Sequence, residues 1–524
     1  MTGRPIEIDR LTAADVRSGA IAGRSVTVLG LARSGIALAR FFGDAGCHVT
    51  VYDGRTAAAL APAIDTLGGR SVVLALGPDV EPAAAWAGAD LVATSPSINP
   101  DYPTTEPRLR TALRALVDSH RRDPAGTPAF VSEADLVLRL CPCPTIGVTG
   151  TKGKTTTSSL TAALLAADPA HRVVLGGNIG VPLIEQVTEL RPEDRVVIEL
   201  SELQLPTLSR GTTVAIYTNV TSDHLDRHGT LAAYRAAKRR LAELVDPNGA
   251  MVLNADDSVV AAYGALGTAD TVTYTQGPPA QGGLGVVDGW IVASGVARIA
   301  AAGGRVAGSS VDPVRILPIS ELAIPGRHNV SNALAAVAGA LVFGLAPDAI
   351  RRAAVAFTGV EHRLERVAVA DGVQYVNDSQ GTQPDAVIAA LEAFRRPLVL
   401  IAGGRDKGVD LSGLAAVAAL RADAAVLIGE SGPVLERLFR GRGLKAVTFA
   451  PTLEAAVERA DAIARDLLPA ARTTDPGAVA TVLLSPAAAS FDMFVDYAAR
   501  GAAFKVAVAA LVTGRAVVAG GGSR

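Results

Sequence analysis

The segment TGTKGKTTT at residues 149–157 decides the fold of the central part of this chain. It follows residues 144–148, PTIGV, which read as a buried strand, and precedes residues 158–165, SSLTAALL, which read as a helix. A glycine turn between a strand and a helix N-terminus directs backbone N–H groups toward an anion, and Lys154 adds a full positive charge. Thr155 then supplies the hydroxyl that a phosphate-bound magnesium ion needs. The segment therefore predicts a nucleotide phosphate loop.

This phosphate loop departs from the general P-loop pattern at one position, because the strict spacing requires glycine where Val148 stands. An ordinary glycine-rich turn before a helix is the alternative. A lysine and two hydroxyls in register favour phosphate binding over that alternative. The residues expected to contact the nucleotide are Gly150, Thr151, Lys152, Gly153, Lys154, Thr155 and Thr156.

Short strands rich in Val and Ile alternate with helices rich in Ala and Leu along almost the whole chain, which favours α/β domains with mostly parallel sheets. Since 524 residues exceed a single core, we expect three domains. A polar, proline-containing segment at residues 121–128 reads as a linker. The predicted domains are a Rossmann-like domain at residues 1–129, a central P-loop-type nucleotide-binding domain at 130–358 and a second Rossmann-like domain at 359–524.

Net charge and hydropathy exclude several classes of protein. A net charge of −2 excludes a globally basic nucleic-acid-binding protein. No apolar run reaches the roughly 18 residues of a membrane helix, and residues 1–9 lack the apolar block of a signal peptide, so we expect a cytoplasmic protein with no membrane partner.

Three cysteines, Cys47, Cys141 and Cys143, are too few for a disulfide framework. Cys141 and Cys143 also lack the second cysteine pair that would complete a metal site.

The first strand of the chain leads into a second glycine turn, GLARSG at residues 30–35. A dinucleotide fingerprint would have glycine where Ala32 stands, so NAD binding is left open. Asp53, at the end of the next strand, occupies the position of a ribose-binding acid. We expect a nucleotide-linked ligand here, with a bare structural turn as the alternative.

Two strands of the central domain run into polar residues. Glu199 ends a buried strand, where a carboxylate is costly unless it is paired or bound to a metal, and the neighbouring phosphate loop favours magnesium over a salt bridge. His224 lies in the polar cluster that follows the next strand and is expected to be a ligand or an orienting group. His228, further into that loop, is expected to face solvent.

Two further polar sets are candidates for ligand binding. Asn329 and Asn332, spaced three apart before a helix, could cap that helix or bind an adenine edge. In the third domain, Arg363 and Lys407 lie near glycines and suit the clamping of a phosphate or carboxylate.

These motifs together resemble those of the Mur ligases, the ATP-dependent amino-acid ligases of peptidoglycan precursor synthesis. The resemblance spans nearly the whole chain, and the shortened phosphate loop is the form this family has. The central motifs that carry it are TGTKGKTT at residues 149–156, ELS at 199–201, NVTSDHLD at 219–226 and GRHN at 326–329 with Asn332. Within the family, the chain is most similar to members that add D-glutamate, through GGNIG at residues 176–180, HR at 362–363, NDS at 377–379 and LSPAAASFD at 484–492.

The resemblance implies a ligase that joins D-glutamate to UDP-N-acetylmuramoyl-L-alanine at the expense of ATP. The γ-phosphate of ATP would convert the terminal carboxylate of that substrate into an acyl phosphate, which the amine of glutamate then attacks. The resemblance further implies ATP and magnesium at two sites, and we expect a monomer. The alternative is a related ligase that uses L-glutamate or another amino acid.

The resemblance also assigns roles to single residues. Lys154, Glu199, His224 and Lys238 are the expected catalytic residues, and Thr155, Glu199, His224 and Lys238 are the expected magnesium ligands. Besides the phosphate loop, the residues expected at ATP are Asn329 and Asn332 at adenine, Asp378 at the ribose and Arg363 at a phosphate. Those expected at the UDP-linked substrate are Arg33, Ser34, Asp53, Arg55 and Asn178, with Thr382, Lys407, Ser490 and Tyr497 at glutamate. Ser95, Ser201 and Gln204 complete the expected substrate contacts.

Lys238, at the end of YRAAK in residues 234–238, matches a lysine that CO₂ carbamoylates in this family. An ammonium beside magnesium would be repelled, and burial can lower the pKa of a lysine far enough to leave a neutral amine that captures CO₂. The carbamate would be an anion able to bind the second magnesium ion. The alternative is a surface lysine on an amphipathic helix, because Arg239 and Arg240 follow it.

Several positions depart from the family's pattern. Gln380 stands where lysine is usual, and an amide can hydrogen-bond a carboxylate but brings no charge. Residues 202–203, Glu-Leu, replace a small residue and an aromatic, Tyr497 replaces phenylalanine and Ser97 replaces glycine. The ATP-binding motifs are unchanged, so these departures concern the amino-acid acceptor.

Three other classes fit the sequence less well. A folylpolyglutamate synthase would lack the nucleotide-binding domain around residues 30–53. An NAD-dependent oxidoreductase fused to a nucleotide triphosphatase is disfavoured by Ala32 and by the lack of a catalytic cluster in the first domain. A catalytically silent regulator is disfavoured by the intact set Lys154, Glu199, His224 and Lys238.

Overall fold

The computed structural model describes residues 5–180, 182–222, 225–267, 269–296, 298–299, 305–306, 313–324, 326–406 and 409–521. The chain divides into two compact units. The first comprises Met1–Leu322 and Arg327–Phe357, and the second comprises Ala323–Gly326 and Thr358–Arg524. The described residues form three large, mostly parallel sheets. Two of these sheets are in the first unit and one is in the second, which confirms the predicted α/β class.

The first sheet has five parallel strands in the order β3-β2-β1-β4-β5. They are β1 (Ser25–Leu29), β2 (His48–Asp53), β3 (Val72–Leu76), β4 (Leu91–Thr94) and β5 (Ala129–Ser132). The helices of this part are α1 (Ala13–Arg17), α2 (Arg33–Asp44), α3 (Ala57–Asp65), α4 (Pro82–Ala85) and α5 (Pro107–Arg122). On α2, Ala37, Leu38, Phe41 and Phe42 are buried, and this spacing forms one apolar helix face.

The polar segment at residues 121–128, which reads as a linker in the sequence, comprises the last two residues of α5 and the connection from α5 to β5. Because β5 pairs in parallel with β4, the first sheet extends to Ser132. The predicted domain boundary at residue 129 therefore falls within β5. The proline and polar residues mark the end of α5, which the sequence alone does not distinguish from a domain junction.

The second sheet has nine strands in the order β16-β13-β12-β11-β10-β9-β6-β8-β7, parallel from β7 to β12 and antiparallel beyond. Its strands, with the short pair β14 and β15, are β6 (Thr145–Thr149), β7 (Val173–Gly177), β8 (Arg195–Glu199), β9 (Val214–Tyr217), β10 (Ala250–Asn254), β11 (Asp270–Tyr274), β12 (Gly283–Val287), β13 (Trp290–Ser294), β14 (Arg298–Ile299), β15 (Arg305–Val306) and β16 (Val314–Pro318). The helices are α6 (Glu133–Leu140), α7 (Lys154–Leu165), α8 (Leu225–His228), α9 (Leu231–Leu244), α10 (Ser258–Ala261), α11 (Arg327–Val342) and α12 (Pro347–Ala356).

Helices α7 and α11 bury small and hydroxyl side chains next to this second sheet. From Ala333 to Val342, every residue of α11 is buried, and half of them are alanine. Side chains of this size allow α11 to pack closely against α7, which places α11 beside the phosphate loop.

The third sheet has six strands in the order β17-β18-β22-β19-β20-β21, with only the β17–β18 pair antiparallel. Its strands are β17 (Glu365–Ala370), β18 (Val373–Asn377), β19 (Leu398–Gly403), β20 (Ala424–Ile428), β21 (Ala446–Phe449) and β22 (Ala480–Leu484). The helices are α13 (Pro384–Ala393), α14 (Ser412–Arg421), α15 (Gly432–Gly441), α16 (Leu453–Thr474) and α17 (Tyr497–Gly521). Within the described part of the chain, no helix is both long and apolar enough to cross a membrane.

Candidate active site

The carboxyl ends of four neighbouring strands, β9, β6, β8 and β7, converge at one edge of the second sheet. In register, Val148 pairs with Glu199 and Thr149 pairs with Tyr217, so the phosphate loop lies between the residues that follow β8 and β9. Open parallel sheets bind ligands at this edge. The topology thus brings together side chains that lie up to about 90 residues apart in sequence.

The phosphate loop is held by the chain that follows β9. The N–H of Thr151 donates to Asn219 O (2.7 Å), and the N–H of Lys152 donates to Asn219 Oδ1 (2.9 Å). Gly150 has φ +150°, and a Cβ there would lie 1.9 Å from Thr218 Oγ1. Gly153 has φ +85° and directly precedes α7. Both glycines are therefore required by the backbone of the loop.

Two lysines approach the loop from different helices. On α7, Lys154 Nζ donates to Gly150 O and Thr151 O, both at 3.1 Å. On α9, Lys238 is fully buried, and its Nζ donates to Gly150 O (2.9 Å) and Thr149 Oγ1 (3.3 Å). The surface alternative for Lys238 is therefore wrong. Lys238 lies on the buried face of α9, with Tyr234 one turn before it and Leu241 one turn after it.

Glu199 is buried beside this loop with half of its carboxylate engaged. Its Oε1 accepts a hydrogen bond from Asn178 Nδ2 (2.8 Å), and Asn178 N–H donates to Glu199 O (2.9 Å). Its Oε2 is buried and accepts no hydrogen bond from any described residue. A buried carboxylate oxygen without a donor is costly, and a bound cation would remove that cost. Glu199 and the hydroxyl of Thr155 are hard oxygen donors of the kind magnesium prefers.

Asn329 and Asn332 lie on α11 at the base of the loop. Both are buried, and Asn332 Nδ2 donates to Asn329 Oδ1 (3.0 Å). A Cβ on Gly153 would lie 2.3 Å from Asn332 Oδ1, so this amide touches the loop backbone. The two asparagines form a linked pair beside the phosphate loop. Their contact with adenine stays a prediction.

The first-domain turn is organised around Asp53. Leu31 N–H donates to Asp53 Oδ2 (2.9 Å), and the Arg55 guanidinium donates to both carboxylate oxygens (3.0 and 2.7 Å). Burial raises the pKa of Asp53, but these hydrogen bonds outweigh burial and hold the pKa below its usual range. Asp53 therefore stays ionised and fixes both the turn and Arg55.

Several predicted substrate residues lie in the first unit between its two sheets. Arg33 and Ser34 are in the first turn of α2, and the Arg33 guanidinium donates to Gly180 O (3.1 Å) and Gly177 O (3.2 Å). Gly177 and Gly180 flank Asn178, so Arg33 contacts the turn that holds the Glu199 carboxylate. The remaining predicted residues form local pairs, Ser95 Oγ with Ser97 Oγ (2.9 Å) and Ser201 with Gln204 Oε1 (2.8 and 3.0 Å).

In the second unit, Asp378 is buried after β18. Its Oδ2 accepts from Ser485 Oγ (2.6 Å) and its Oδ1 from Leu364 N–H (3.2 Å). Burial raises the pKa of Asp378 to about 6, although the Ser485 hydrogen bond and the Arg363 charge act in the opposite direction. The charge of Arg363 thus acts on Asp378, and the contacts of the two residues with the ribose and a phosphate of ATP stay predictions.

The residues predicted to bind the substrate glutamate come from three segments around α17. Ser490 is buried, Tyr497 is 42% exposed at the start of α17, and Thr382 is partly buried before α13. Between them, Ser379 Oγ donates to Tyr497 O (2.8 Å). His224 and Lys407 lie outside the described residues, so their predicted roles have no structural counterpart here.

The sequence interpretation missed Arg500, which is buried on α17. Its guanidinium donates to Ser379 Oγ (3.0 Å), Ser379 O (2.9 Å) and Ala488 O (3.3 Å), all neutral oxygens. Burial lowers the pKa of Arg500 to about 10, although Asp492 acts against this. Arg500 therefore joins the segments that carry Thr382 and Ser490 and brings a positive charge to them. The available signal was its distance of three residues from Tyr497 on one helix.

Tyr234 was also missed as a site residue. Its OH hydrogen-bonds Thr151 Oγ1 (2.9 Å), and its ring lies 5.7 Å from Lys238 Nζ. The expected solvent exposure of His228 is wrong, because its ring packs edge-on against Tyr102 (6.0 Å) and Tyr234 (5.5 Å). The short helix α8 turns His228 back toward α9, which a loop interpretation does not anticipate.

Comparison with known proteins decides the family. The profile described as "Mur ligase middle domain" matches residues 148–340, and that described as "Mur ligase, glutamate ligase domain" matches residues 362–471. The UDP-N-acetylmuramoylalanine–D-glutamate ligase of Pelotomaculum thermopropionicum is 36% identical over 94% of this chain and 98% of the relative. The chain belongs to the Mur ligase family. The enzyme of the same name from Geobacter metallireducens is 38% identical over 94% of this Mur ligase and 99% of the relative.

Solved structures agree with the fold of this Mur ligase. The UDP-N-acetylmuramate–alanine ligase of Thermotoga maritima matches with a TM-score of 0.51, 20% identity and coverage of 92% and 98% of the two chains. The Mur ligase fold and the activity class, an ATP-dependent ligase of peptidoglycan synthesis, are therefore confirmed.

Proposed function

We propose that this Mur ligase joins D-glutamate to UDP-N-acetylmuramoyl-L-alanine with hydrolysis of ATP to ADP and phosphate. Relatives that are named for this activity align with nearly the whole chain. The observation that carries the proposal is the buried edge where Lys154, Lys238 and the unbonded Glu199 oxygen surround the phosphate loop.

The residues of the first unit would bind and activate the phosphate chain. Lys154 and the N–H groups at the start of α7 neutralise phosphate charge, and a lysine that now binds loop carbonyls can turn to a phosphate at little cost. Glu199 and Thr155 would hold magnesium, which supplies charge neutralisation around the γ-phosphate. Asn178 holds Oε1 of the Glu199 carboxylate through its 2.8 Å hydrogen bond, which leaves Oε2 as the oxygen that would hold the ion.

In the second unit, Asp378 and Arg363 would bind the ribose and a phosphate of ATP. Thr382, Ser490, Tyr497 and Lys407 would bind the amino acid. Gln380 replaces the usual lysine and carries a buried Oε1 that accepts no hydrogen bond from the described residues. Arg500 lies among the segments that carry Thr382 and Ser490. We propose that its positive charge attracts the carboxylates of the amino acid.

We also propose that Lys238 is carbamoylated. The amine is fully buried and faces the loop carbonyl of Gly150, so it is shielded from bulk water. Capture of CO₂ would convert it into an anion with the release of one proton, and the anion would serve a second magnesium ion. With ¹³C-labelled bicarbonate, the wild-type protein should show a carbamate carbon resonance that the Lys238→Arg variant lacks. Equal spectra from both proteins would exclude the modification.

The activity is tested by phosphate release from ATP in the presence of UDP-N-acetylmuramoyl-L-alanine and a panel of amino acids. We expect release with D-glutamate and none with L-glutamate. Release with L-glutamate alone would favour the alternative, to which the neutral Gln380 draws attention. No release with any amino acid would refute the ligase proposal. A cytoplasmic location remains part of the proposal, since the substrates are charged and water-soluble, and a monomer remains an expectation.

A further inference from the structure

The segment that connects α6 to β6, Cys141-Pro142-Cys143-Pro144, places two thiols side by side outside the candidate active site. Cys141 Sγ lies 3.4 Å from Cys143 Sγ and 3.6 Å from Cys143 O. Both cysteines are unbridged in the structure, and Cys141 is partly exposed while Cys143 is buried. The third cysteine of the chain, Cys47, is buried and donates to Ile21 O (3.3 Å).

The backbone keeps the two thiols together. Cys141 N–H closes α6 by donating to Val137 O (2.9 Å), and Pro144 O accepts from Val196 N–H (3.1 Å) at the start of the sheet. Pro142 and Pro144 restrict the φ angles between these anchors. A pair held in place in this way loses little conformational entropy when a bond forms between its members.

The two thiols differ in reactivity. A hydrogen bond from Cys143 lowers the pKa of the Cys141 thiol, so Cys141 is the better nucleophile and the more accessible one. The same pairing and burial raise the pKa of the Cys143 thiol. Burial raises the pKa of Cys47 to about 11, which leaves it unreactive near neutral pH.

From this juxtaposition we propose that Cys141 and Cys143 form a reversible dithiol–disulfide site that reacts with small-molecule disulfides such as glutathione disulfide. The Cys141 thiolate attacks one sulfur of the small disulfide, forms a mixed disulfide and releases one thiolate. Cys143 loses its proton to solvent and attacks the Cys141 sulfur, which expels the second small thiol. Two protein thiols are thereby oxidised, and one small disulfide is reduced to two thiols.

The bond requires only a local movement. The two sulfur atoms must approach from 3.4 Å to about 2.05 Å, a displacement shared by two side chains at the end of a helix. The site lies on the connection into β6, the strand that ends at the phosphate loop. It is separate from every residue to which the proposed ligase activity assigns a role.

The test uses the purified full chain in buffers with graded ratios of oxidised to reduced glutathione. After acid quenching, unfolding and alkylation, the oxidised wild-type protein should carry one alkyl group, on Cys47, and no glutathione. The tryptic peptide of residues 140–152 should have lost two hydrogens in mass. Three alkyl groups at every ratio, or a stable glutathione adduct on the wild-type protein, would overturn the proposal.

Two variants separate the roles of the cysteines. Cys143→Ser should retain one glutathione on Cys141, because the second thiol is missing, whereas Cys141→Ser should take up none. Glutathione on Cys143 of the second variant would contradict the assigned order of attack. The folded wild-type protein should also reach half-oxidation at a several-fold lower ratio than the same chain in guanidinium chloride. A higher ratio for the folded chain would show that the fold opposes the bond and would refute the site.

Discussion

Glu199 shows how a single residue can indicate a ligand. Its Oε1 is held by Asn178, while Oε2 lies buried without a hydrogen-bond donor in the described part of the structure. The sequence predicted a carboxylate at the end of a buried strand. The hydrogen bond that leaves only one oxygen free could not be read from the sequence, because Asn178 belongs to a different strand end.

We expect Glu199→Gln to lower turnover by about a hundredfold or more, because the amide cannot neutralise a cation. The same change should leave the thermal midpoint of the unliganded protein equal or higher, since it removes a buried charge whose Oε2 accepts no hydrogen bond from the described residues. The rate of turnover with D-glutamate measures the first effect, and thermal unfolding measures the second. Full activity of the variant would contradict a metal-binding role for Glu199.

Glu202→Gln is the matched control, because Glu202 is a buried acid three residues away that pairs with Arg227 at 3.6 Å. Its loss should lower the thermal midpoint through the broken ion pair. The stabilisation of the protein by magnesium and ATP should remain as in the wild type for Glu202→Gln and be reduced for Glu199→Gln.

Asp378 predicts a pH dependence. Burial raises its pKa to about 6, so the carboxylate is ionised above that pH and able to accept hydrogen bonds from a ribose, and protonated below it. Dividing kcat/KM for ATP of the wild type by that of Asp378→Asn removes the titration of ATP itself. The quotient should be constant above about pH 7 and fall toward about pH 5. A flat quotient across this interval would contradict the assigned role.

At the scale of elements, the phosphate loop is fixed by contact with a helix that comes much later in the chain. A Cβ on Gly153 would lie 2.3 Å from Asn332 Oδ1 on α11, and φ at Gly153 is +85°. The sequence predicted the loop from its glycines and lysine, but not that α11 limits the space at Gly153. That contact depends on the packing of α11 against α7.

Gly153→Ala should raise the KM for ATP and cost roughly 1–2 kcal/mol of stability from the backbone alone, with a further cost from the contact with Asn332. In an Asn332→Ala background the same change should cost less stability, because the clash is absent while the backbone cost remains. Chemical unfolding of the four proteins of this cycle measures the difference. Equal costs in both backgrounds would show that Asn332 does not contact the loop.

Arg500 on helix α17 joins the segments that are expected to bind the substrate amino acid. Arg500→Lys keeps the charge but loses the two-pronged contact with Ser379 and Ala488, so the KM for D-glutamate should rise about tenfold, and more for Arg500→Met. The KM for the UDP-linked substrate should change little. Equal increases in both KM values would indicate general misfolding instead.

Arg515→Met is the control for this helix. Arg515 also lies on α17, but its guanidinium binds Tyr375 OH (3.2 Å) and Asp461. Its loss should lower the thermal midpoint and leave the KM for D-glutamate unchanged. A rise in that KM would mean that any damage to α17 has the effect assigned to Arg500.

At the scale of the whole molecule, periodicity and motif spacing predicted the α/β class and the phosphate loop, because both depend on neighbours in sequence. The burial of Lys238 was harder to predict, since Arg239 and Arg240 suggest a surface helix. Arg239 is exposed and pairs with Glu243, and Arg240, whose guanidinium donates to Leu208 O, is only partly buried, so neither belongs to the buried face of α9. Lys238 falls on that face with Tyr234 and Leu241, a signal that helical spacing did contain.

Other features depended on tertiary packing. The strand β5 could not be assigned to the first sheet before its pairing with β4 was known. Arg500 carries no motif, and its role follows only from the loops that it joins after folding. Contacts between side chains at the ends of different strands could therefore be identified only from the structure. Residues that lie within one turn could be identified from the sequence alone.

We expect ATP to phosphorylate the carboxylate of UDP-N-acetylmuramoyl-L-alanine before D-glutamate attacks it. The most direct measurement uses this substrate with ¹⁸O in its terminal carboxylate, together with ATP and D-glutamate. Attack on an acyl phosphate expels the phosphate with one carboxylate oxygen, so mass spectrometry should find one ¹⁸O in each released phosphate. Phosphate without ¹⁸O, released in step with amide formation, would contradict an acyl-phosphate intermediate.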